Sequence, residues 1–334
     1  MHIPLRYGEN PQQSARVEVD EASTDPLAIG RFTLPGGAPA LSDSANLSWA
    51  TLKGLNTGLE AITRIAACLE ANTGSVPKIA LLVTHGTPFG AAVGATDQVI
   101  NRVIQSSFRA AFGSLLVTNV RFTEPVAFKV RQWMAAERPF LGIVAPEVAP
   151  ETAVYFKRKK GKCHLLANAA LDALGAPMLA KEEVTHSIRG ARLVQTTNPY
   201  VPAFPAEWDD DLKRDMSLAW GVCAASASSA ITIANDGMLV ANATGHVERV
   251  AASEFAVLQA KNHGRAEMLK GAAVCSDSFF SFADAYDILA RRKVKAIFAT
   301  HGSIHDAAVR AHAATFDTIF HTVPDREARI FYGH

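Results

Sequence analysis

Lys78–Gly90 reads KIALLVTHGTPFG, and this stretch decides the fold. An apolar run, Ile79–Val83, ends in Thr84-His85-Gly86, and Thr87-Pro88 then reads as a turn. A short apolar run closed by turn formers is the pattern of a buried strand. In an α/β sheet such a strand end opens onto the crevice where ligands bind. Far downstream, Val294–Asp306, VKAIFATHGSIHD, has the same form and ends its run in Thr300-His301-Gly302. Two Thr-His-Gly strand ends, His85 and His301, suggest an internal duplication with two related sheets. Each histidine alone reads more readily as a satisfied structural residue than as a catalyst, so the repetition argues for shared architecture and not for two catalytic sites.

Working outward, Ser48 is a capping residue for a helix whose Leu52, Leu55, Leu59, Ile62, Ala66 and Leu69 share one face. After the strand, Asp97 opens a helix with Val99, Ile100, Val103 and Ile104 inward. Ser114–Val117 reads as a strand, Glu124–Glu137 as a helix, Phe140–Ala145 as a strand, Pro150–Lys160 as a helix and Leu165–Ala167 as a strand. This alternation predicts an α/β layer with mainly parallel strands. Thr196–Asp211, with three prolines and Asp209-Asp210-Asp211, is the expected linker between a first lobe, 1–200, and a second, 201–334. There, Leu212–Ser226 is a predicted helix, and Ala230–Ala234 pairs with Met238–Ala243 as a hairpin across Asn235-Asp236-Gly237.

A length of 334 residues fits about two domains, and 49% apolar residues allow a large core. With 33 basic against 32 acidic residues, nothing favours nucleic acid or a membrane surface as partner. Cys68, Cys163, Cys223 and Cys275 are far apart and form no CxxC or Cys/His pattern, so no metal is expected and reduced thiols are. The start, MHIPLRYGENP, lacks a signal-type apolar core, and no apolar run approaches the ~20 residues of a membrane span, so a soluble, cytoplasmic protein is expected.

No P-loop, Rossmann glycine fingerprint, GxSxG or HExxH pattern occurs. Ser276–Asp284, SDSFFSFAD, sets three aromatics among polar and small residues. It reads either as a strand end feeding Phe into the core or as an aromatic wall for a planar ligand. Lys157-Arg158-Lys159-Lys160 reads either as a solvated helix end or as a phosphate contact.

Several of these segments together resemble the transformylase region of the AICAR transformylase/IMP cyclohydrolase family, in colinear order over nearly the whole chain. Arg6-Tyr7-Gly8-Glu9-Asn10-Pro11 is similar to that family's RYGENP segment, and Val83–Gly90, VTHGTPFG, stands where the family has VKHANPCG. Ser276-Asp277-Ser278-Phe279-Phe280 resembles its SDAFF, Gly302-Ser303-Ile304 its GGSI, and Arg329-Ile330-Phe331 its terminal Arg-x-Phe. The resemblance implies duplicated three-layer α/β/α units of cytidine deaminase-like type and a homodimer with active sites at the subunit interface. It also implies formyl transfer from 10-formyltetrahydrofolate to the amine of an aminoimidazole carboxamide ribonucleotide. By matching positions, His85 would be the base. Arg6, Tyr7 and Lys159 or Lys160 would face the substrate and its phosphate, and Arg249 would contact the nucleotide. Phe279, Phe280, Ser281, Asp284, Gly302, Ser303, Arg329 and Phe331 would line the substrate and folate pocket.

The departures matter as much. Met1 falls just before RYGENP, so the cyclohydrolase domain is expected to be missing. The family's Lys of its Lys-His pair is Thr84 here, and its Asn of KSNAI is Ser229. Formyl transfer passes through a tetrahedral oxyanion, and losing one donor to it costs roughly a hundredfold in rate. A conjugated aromatic amine needs that help, whereas a more basic aliphatic amine does not. Three expectations follow. The first is a folate-dependent N-formyltransferase with an acceptor other than the housekeeping purine substrate. The second is a divergent AICAR transformylase, and the third is a catalytically weakened folate- or nucleotide-binding paralogue.

Overall fold

The computed structural model describes residues 1–106, 111–134, 140–156 and 163–333. A small ribbon, β1 (His2–Pro4) against β2 (Arg16–Glu18), leads to helix α1 (Trp49–Thr73). The Ser48 side chain accepts from the Thr51 N–H at the head of α1, and Gly74, with φ 73°, closes its end. Then come β3 (Lys78–Thr84), β4 (Thr87–Gly94), α2 (Gln98–Ser106), β5 (Leu115–Thr118), α3 (Glu124–Trp133), β6 (Gly142–Ala145) and β7 (His164–Ala167). An exposed ribbon, β8 (Val184–Ile188) with β9 (Ala191–Gln195), precedes α4 (Asp210–Cys223). The chain continues with β10 (Ile231–Asn235), β11 (Met238–Ala243), α5 (Arg249–Asn262), β12 (Ala273–Ser276), α6 (Ala283–Ala290), β13 (Ala296–His301), α7 (Asp306–Ala313), β14 (Ile319–Pro324) and α8 (Asp325–Ala328).

Ten strands form one mixed sheet in the order β14-β13-β12-β10-β11-β4-β3-β5-β6-β7. In the first half β3 is antiparallel to β4 and β5, and β5–β6 and β6–β7 are parallel. In the second half β10 is antiparallel to β11 and β12, and β12–β13 and β13–β14 are parallel. One order and sense therefore occurs twice, joined through the antiparallel pair β4–β11.

The centre of the sheet is antiparallel, not parallel as expected, and the reason lies in the opening stretch. His85 and Gly86 both have positive φ, 50° and 69°, which is the signature of a two-residue hairpin turn. Thr87-Pro88, read as a turn, instead begins the returning strand β4. Asp236 and Gly237, at 51° and 64°, make the same turn between β10 and β11. The counterpart of His85 in the second half is thus Asp236. His301 ends the parallel strand β13, so the two Thr-His-Gly stretches are not equivalent positions.

Successive strand residues point to opposite faces, and both faces are covered. Ile79, Leu81, Leu115 and Val117 share one core with α1 and α4, which also takes in Cys275 and Phe298 from the second half. Ala80, Leu82 and Leu116 pack with α2 and α3, and Val274 and Ile297 with α5 and α6. Helices α1 and α4 meet at Gly221, where a Cβ would lie 2.6 Å from the backbone N of Ile65. The segment 196–211 is tied into this core: Phe204 stacks on Trp208 at 5.3 Å, and its N–H donates to Asn72 Oδ1 at 2.7 Å. Of the helix expected over Pro150–Lys160, the described part, Pro150–Phe156, is a 3-10 helix.

Candidate active site

Strand sense fixes where the side chains of interest gather. Strands β3, β11, β12, β13 and β14 run the same way, and β10 runs against them. One edge of the sheet therefore carries the His85-Gly86 turn, the start of β10 after Ser229, and the ends of β12, β13 and β14.

A cavity of 680 Å³ opens at the β10–β12 part of this edge. Ser229, Arg249, Phe279, Ser281, Asp284, Arg329 and Phe331 all line it, together with Glu248, Ser278 and Phe282. The aromatic run after β12 divides by burial. Phe280 is 2% exposed and packs on Tyr286 and Phe320, so it belongs to the core and not to the cavity wall. Phe279 is half-buried and Phe282 exposed, and both face the cavity. Phe280 thus follows the core reading of SDSFFSFAD, while Phe279 and Phe282 line the cavity. Gly302 and Ser303 stand off the lining, at the head of α7: the Gly302 N–H donates to Asp306 Oδ2 at 2.7 Å, and Ser303 Oγ accepts from the His305 N–H. Gly302 lies against Asp325, where a Cβ would be 3.3 Å from Asp325 Cβ, and the His305 ring lies 5.0 Å from that of Phe282.

Two carboxylates organise the walls. Asp277 is fully buried; Oδ1 accepts from Arg249 Nη1 at 2.5 Å and Oδ2 from the Ala230 N–H at 3.0 Å. Arg249 Nη1 also reaches Ser276 Oγ at 2.8 Å. Asn119 holds the same position after β5, with Oδ1 accepting from the Ile79 N–H at 2.7 Å, but it carries no charge. Asp325 accepts from Ser278 Oγ, Thr300 Oγ1 and Arg329, which ties β12, β13 and the C-terminal segment together. Burial pushes the Asp325 carboxyl up, but the hydrogen bonds from Arg329, Thr300 and Ser278 outweigh it and leave its pKa below the ordinary value. The Arg329 guanidinium lies 5.0 Å over the Phe331 ring.

The second group of expected residues sits along α1. The Trp49 N–H at the head of α1 donates to Tyr7 O, the Arg6 N–H donates to Leu47 O, and the Arg6 guanidinium lies 5.5 Å from the Tyr7 ring. One helical turn on, Lys53 Nζ pairs with Glu9 at 3.3 Å. A Cβ on Gly86 would lie 3.8 Å from Lys53 Cε and 4.0 Å from Thr57 Oγ1. His85 is exposed beside them, and Thr84 is half-buried at the end of β3. Lys159 and Lys160 lie outside the described residues.

The C-terminal segment joins the two groups. Phe331 is in the cavity, and the next residue, Tyr332, bridges Ala227 and rests by Asn56 and Thr57 of α1. Burial and the nearby Glu60 push the Tyr332 phenol up, and Asn56 and Thr57 pull it back only in part. In sequence Lys53, like Lys78, is a lysine that could replace in space the one missing at Thr84, whereas Asn56 carries no such reading. Helical phase is the signal they share: Trp49, Lys53 and Asn56 recur on one face of α1.

A model of the AICARFT/IMPCHase bienzyme family matches residues 1–259. The chain belongs to that family. It is 30% identical over 329 residues to a "Bifunctional purine biosynthesis protein PurH" of Thermotoga maritima, covering 98% of this chain and 63% of that one. Proteins of the same description from Mycobacterium leprae and Rhodopirellula baltica are each 27% identical, over 92% of this chain and 54% and 55% of theirs. The chain therefore spans about half to two thirds of the length of these bienzyme relatives. Among the described residues, no three His, Cys, Asp or Glu side chains group as a metal site would need. No described helix is long and apolar enough to cross a membrane.

Proposed function

We propose that the chain is a folate-dependent formyltransferase that moves a formyl group from 10-formyltetrahydrofolate to the amine of AICAR. The observation that carries this reading is the cavity at the β12 edge, which gathers Ser229, Arg249, Phe279, Asp284, Arg329 and Phe331 from segments more than a hundred residues apart in sequence. Its chemistry suits a pterin. Phe279, Phe282 and Phe331 offer ring faces, and the carboxylates of Asp284 and Glu248 accept ring N–H bonds. Arg249 and Arg329 are each paired with a carboxylate, so among the described residues that line it the cavity has no surplus cation for a phosphate. The ribonucleotide phosphate belongs instead with Arg6 and the basic run that includes Lys159 and Lys160.

In this mechanism His85 removes the proton of the attacking amine, which general-base catalysis makes worth about 10²–10⁴-fold. Thr84 offers one neutral hydrogen bond. The relatives are purine biosynthesis proteins, which favours AICAR over another amine as acceptor. A second reading, a more basic amine as acceptor, rests on the uncharged Thr84 and on Ser229. The finer architecture fits two cytidine deaminase-like units, lobes 1–200 and 201–334, each supplying one half of the strand order. We further infer a homodimer with shared sites: the β8–β9 ribbon exposes Val184, Ile188, Leu193 and Val194, and its Ser187 lines the pocket that holds Lys53.

The test is tetrahydrofolate release from 10-formyltetrahydrofolate, with and without AICAR, against His85→Ala. Release that needs both AICAR and His85 is expected. Release only with other amines would move the assignment to the second reading, and folate binding without turnover of any amine would refute catalysis.

A further inference from the structure

A cation beside the His85 turn comes from neither strand of the hairpin. Thr84 and Thr87 flank the turn and are uncharged. Lys53 approaches from α1: its Cε would lie 3.8 Å from a Cβ on Gly86, in ordinary van der Waals contact. The ammonium is held by Glu9 at 3.3 Å, and both side chains are more than half exposed, so the pair is open to a ligand. An exposed pair of this kind is worth little to stability, about 0–1 kcal/mol, so folding does not account for the charge being there. Around it lie Gly8, Trp49 and Asn56, which line a pocket of 1080 Å³ with Lys53. The residue is a mobile donor on a four-carbon stem, beside a histidine fixed on a tight turn.

We propose that Lys53 stabilises the charge that develops beside His85. The inference rests on the formyl-transfer reading above. The acceptor nitrogen bonds to the formyl carbon, and the C=O electron pair moves onto oxygen. His85 takes the proton of the nitrogen. The oxygen pair then re-forms C=O as the bond to N10 of the folate breaks, and N10 takes up a proton, leaving the formylated amine and tetrahydrofolate. The Lys53 ammonium stands where it can donate to that oxygen while it is negative, and Glu9 holds it there before the ligands arrive. A donor of this type is worth about 10²–10³ in kcat.

The experiment compares full-length wild type, Lys53→Met and Lys53→Arg in tetrahydrofolate release with 10-formyltetrahydrofolate and AICAR. Lys53→Met is expected to lower kcat about a hundredfold, with KM for each substrate within about threefold, because the charge acts only as the oxyanion forms. Lys53→Arg is expected to recover at least a tenth of the wild-type rate. Thermal melting of the three proteins is expected to coincide, since Lys53 is exposed. An active wild type with Lys53→Met within twofold of it overturns this proposal and leaves the formyl-transfer reading standing. A rise in KM alone would make Lys53 a binding residue and overturn it too. A wild type inert toward every amine overturns both.

Discussion

Replacing Asp277 tests how the cavity wall is held. Its carboxylate is fully buried, and Arg249, 13% exposed, has no other carboxylate partner among the described residues. Asp277→Ala leaves a mostly buried guanidinium without its counter-ion, a change that typically costs about 3–5 kcal/mol. The slight exposure of Arg249 argues for the lower end of that range. The Ala230 N–H also loses its acceptor, worth about 1 kcal/mol or more if water does not replace it. A loss of about 4 kcal/mol is expected. Asp277→Asn keeps the acceptor, and Asn119 already does the same job for Ile79. Only the charged hydrogen bond is then lost, and about 2 kcal/mol is expected. Urea unfolding followed by tryptophan fluorescence reports on this core through the buried Trp208 and Trp220. Equal losses for the two variants, or less than about 1 kcal/mol for Asp277→Ala, would refute the reasoning.

Two further outcomes separate wall from core and fix a pH dependence. Phe280→Ala is expected to cost about 3–5 kcal/mol of stability with little change in folate affinity, whereas Phe279→Ala should weaken folate binding, read by titration calorimetry, with the melting temperature nearly unchanged. Asp325 has a folded pKa below its ordinary value of about 3.9. Its contribution is therefore complete above that ordinary value and is lost as pH falls through the lower folded one. Melting curves from pH 6 to 3 should show wild type losing more stability below about pH 4 than Asp325→Asn does.

Most elements were legible in sequence because their signals are local. Ile79–Val83 is apolar without alternation, and both faces of β3 are buried. Ser48 announced α1 as a cap and acts as one. The hairpin was not legible, because His-Gly is an uncommon pair for a turn that needs two positive φ values. Reading Thr87-Pro88 as the turn moved the reversal two residues along and made the sheet look parallel. The split of Phe279 and Phe282 from Phe280 arises between the end of β12 and the start of α6, where neither strand nor helix period assigns a side chain to a face. Sequence offered Lys53 and Lys78 equally as replacements for the lysine missing at Thr84, and could not choose between them because only the packing of α1 against the hairpin sets Lys53 beside Gly86.

The junction of β4 with β11 bears on ancestry and on how the chain can be cut. Two equivalent strands paired antiparallel are related by a two-fold axis, which is what two copies of one five-stranded unit would form on meeting edge to edge. Genetic fusion of such a pair would retain the contact and free each copy to drift, and drift of that kind would leave differences such as the neutral Asn119 in the place that Asp277 holds in the other half. A protein severed in the 196–211 segment would bare an unpaired strand on each fragment. The fragments should re-form the ten-stranded sheet when expressed together and aggregate when expressed apart, so that segment is a natural place for a split-protein reporter.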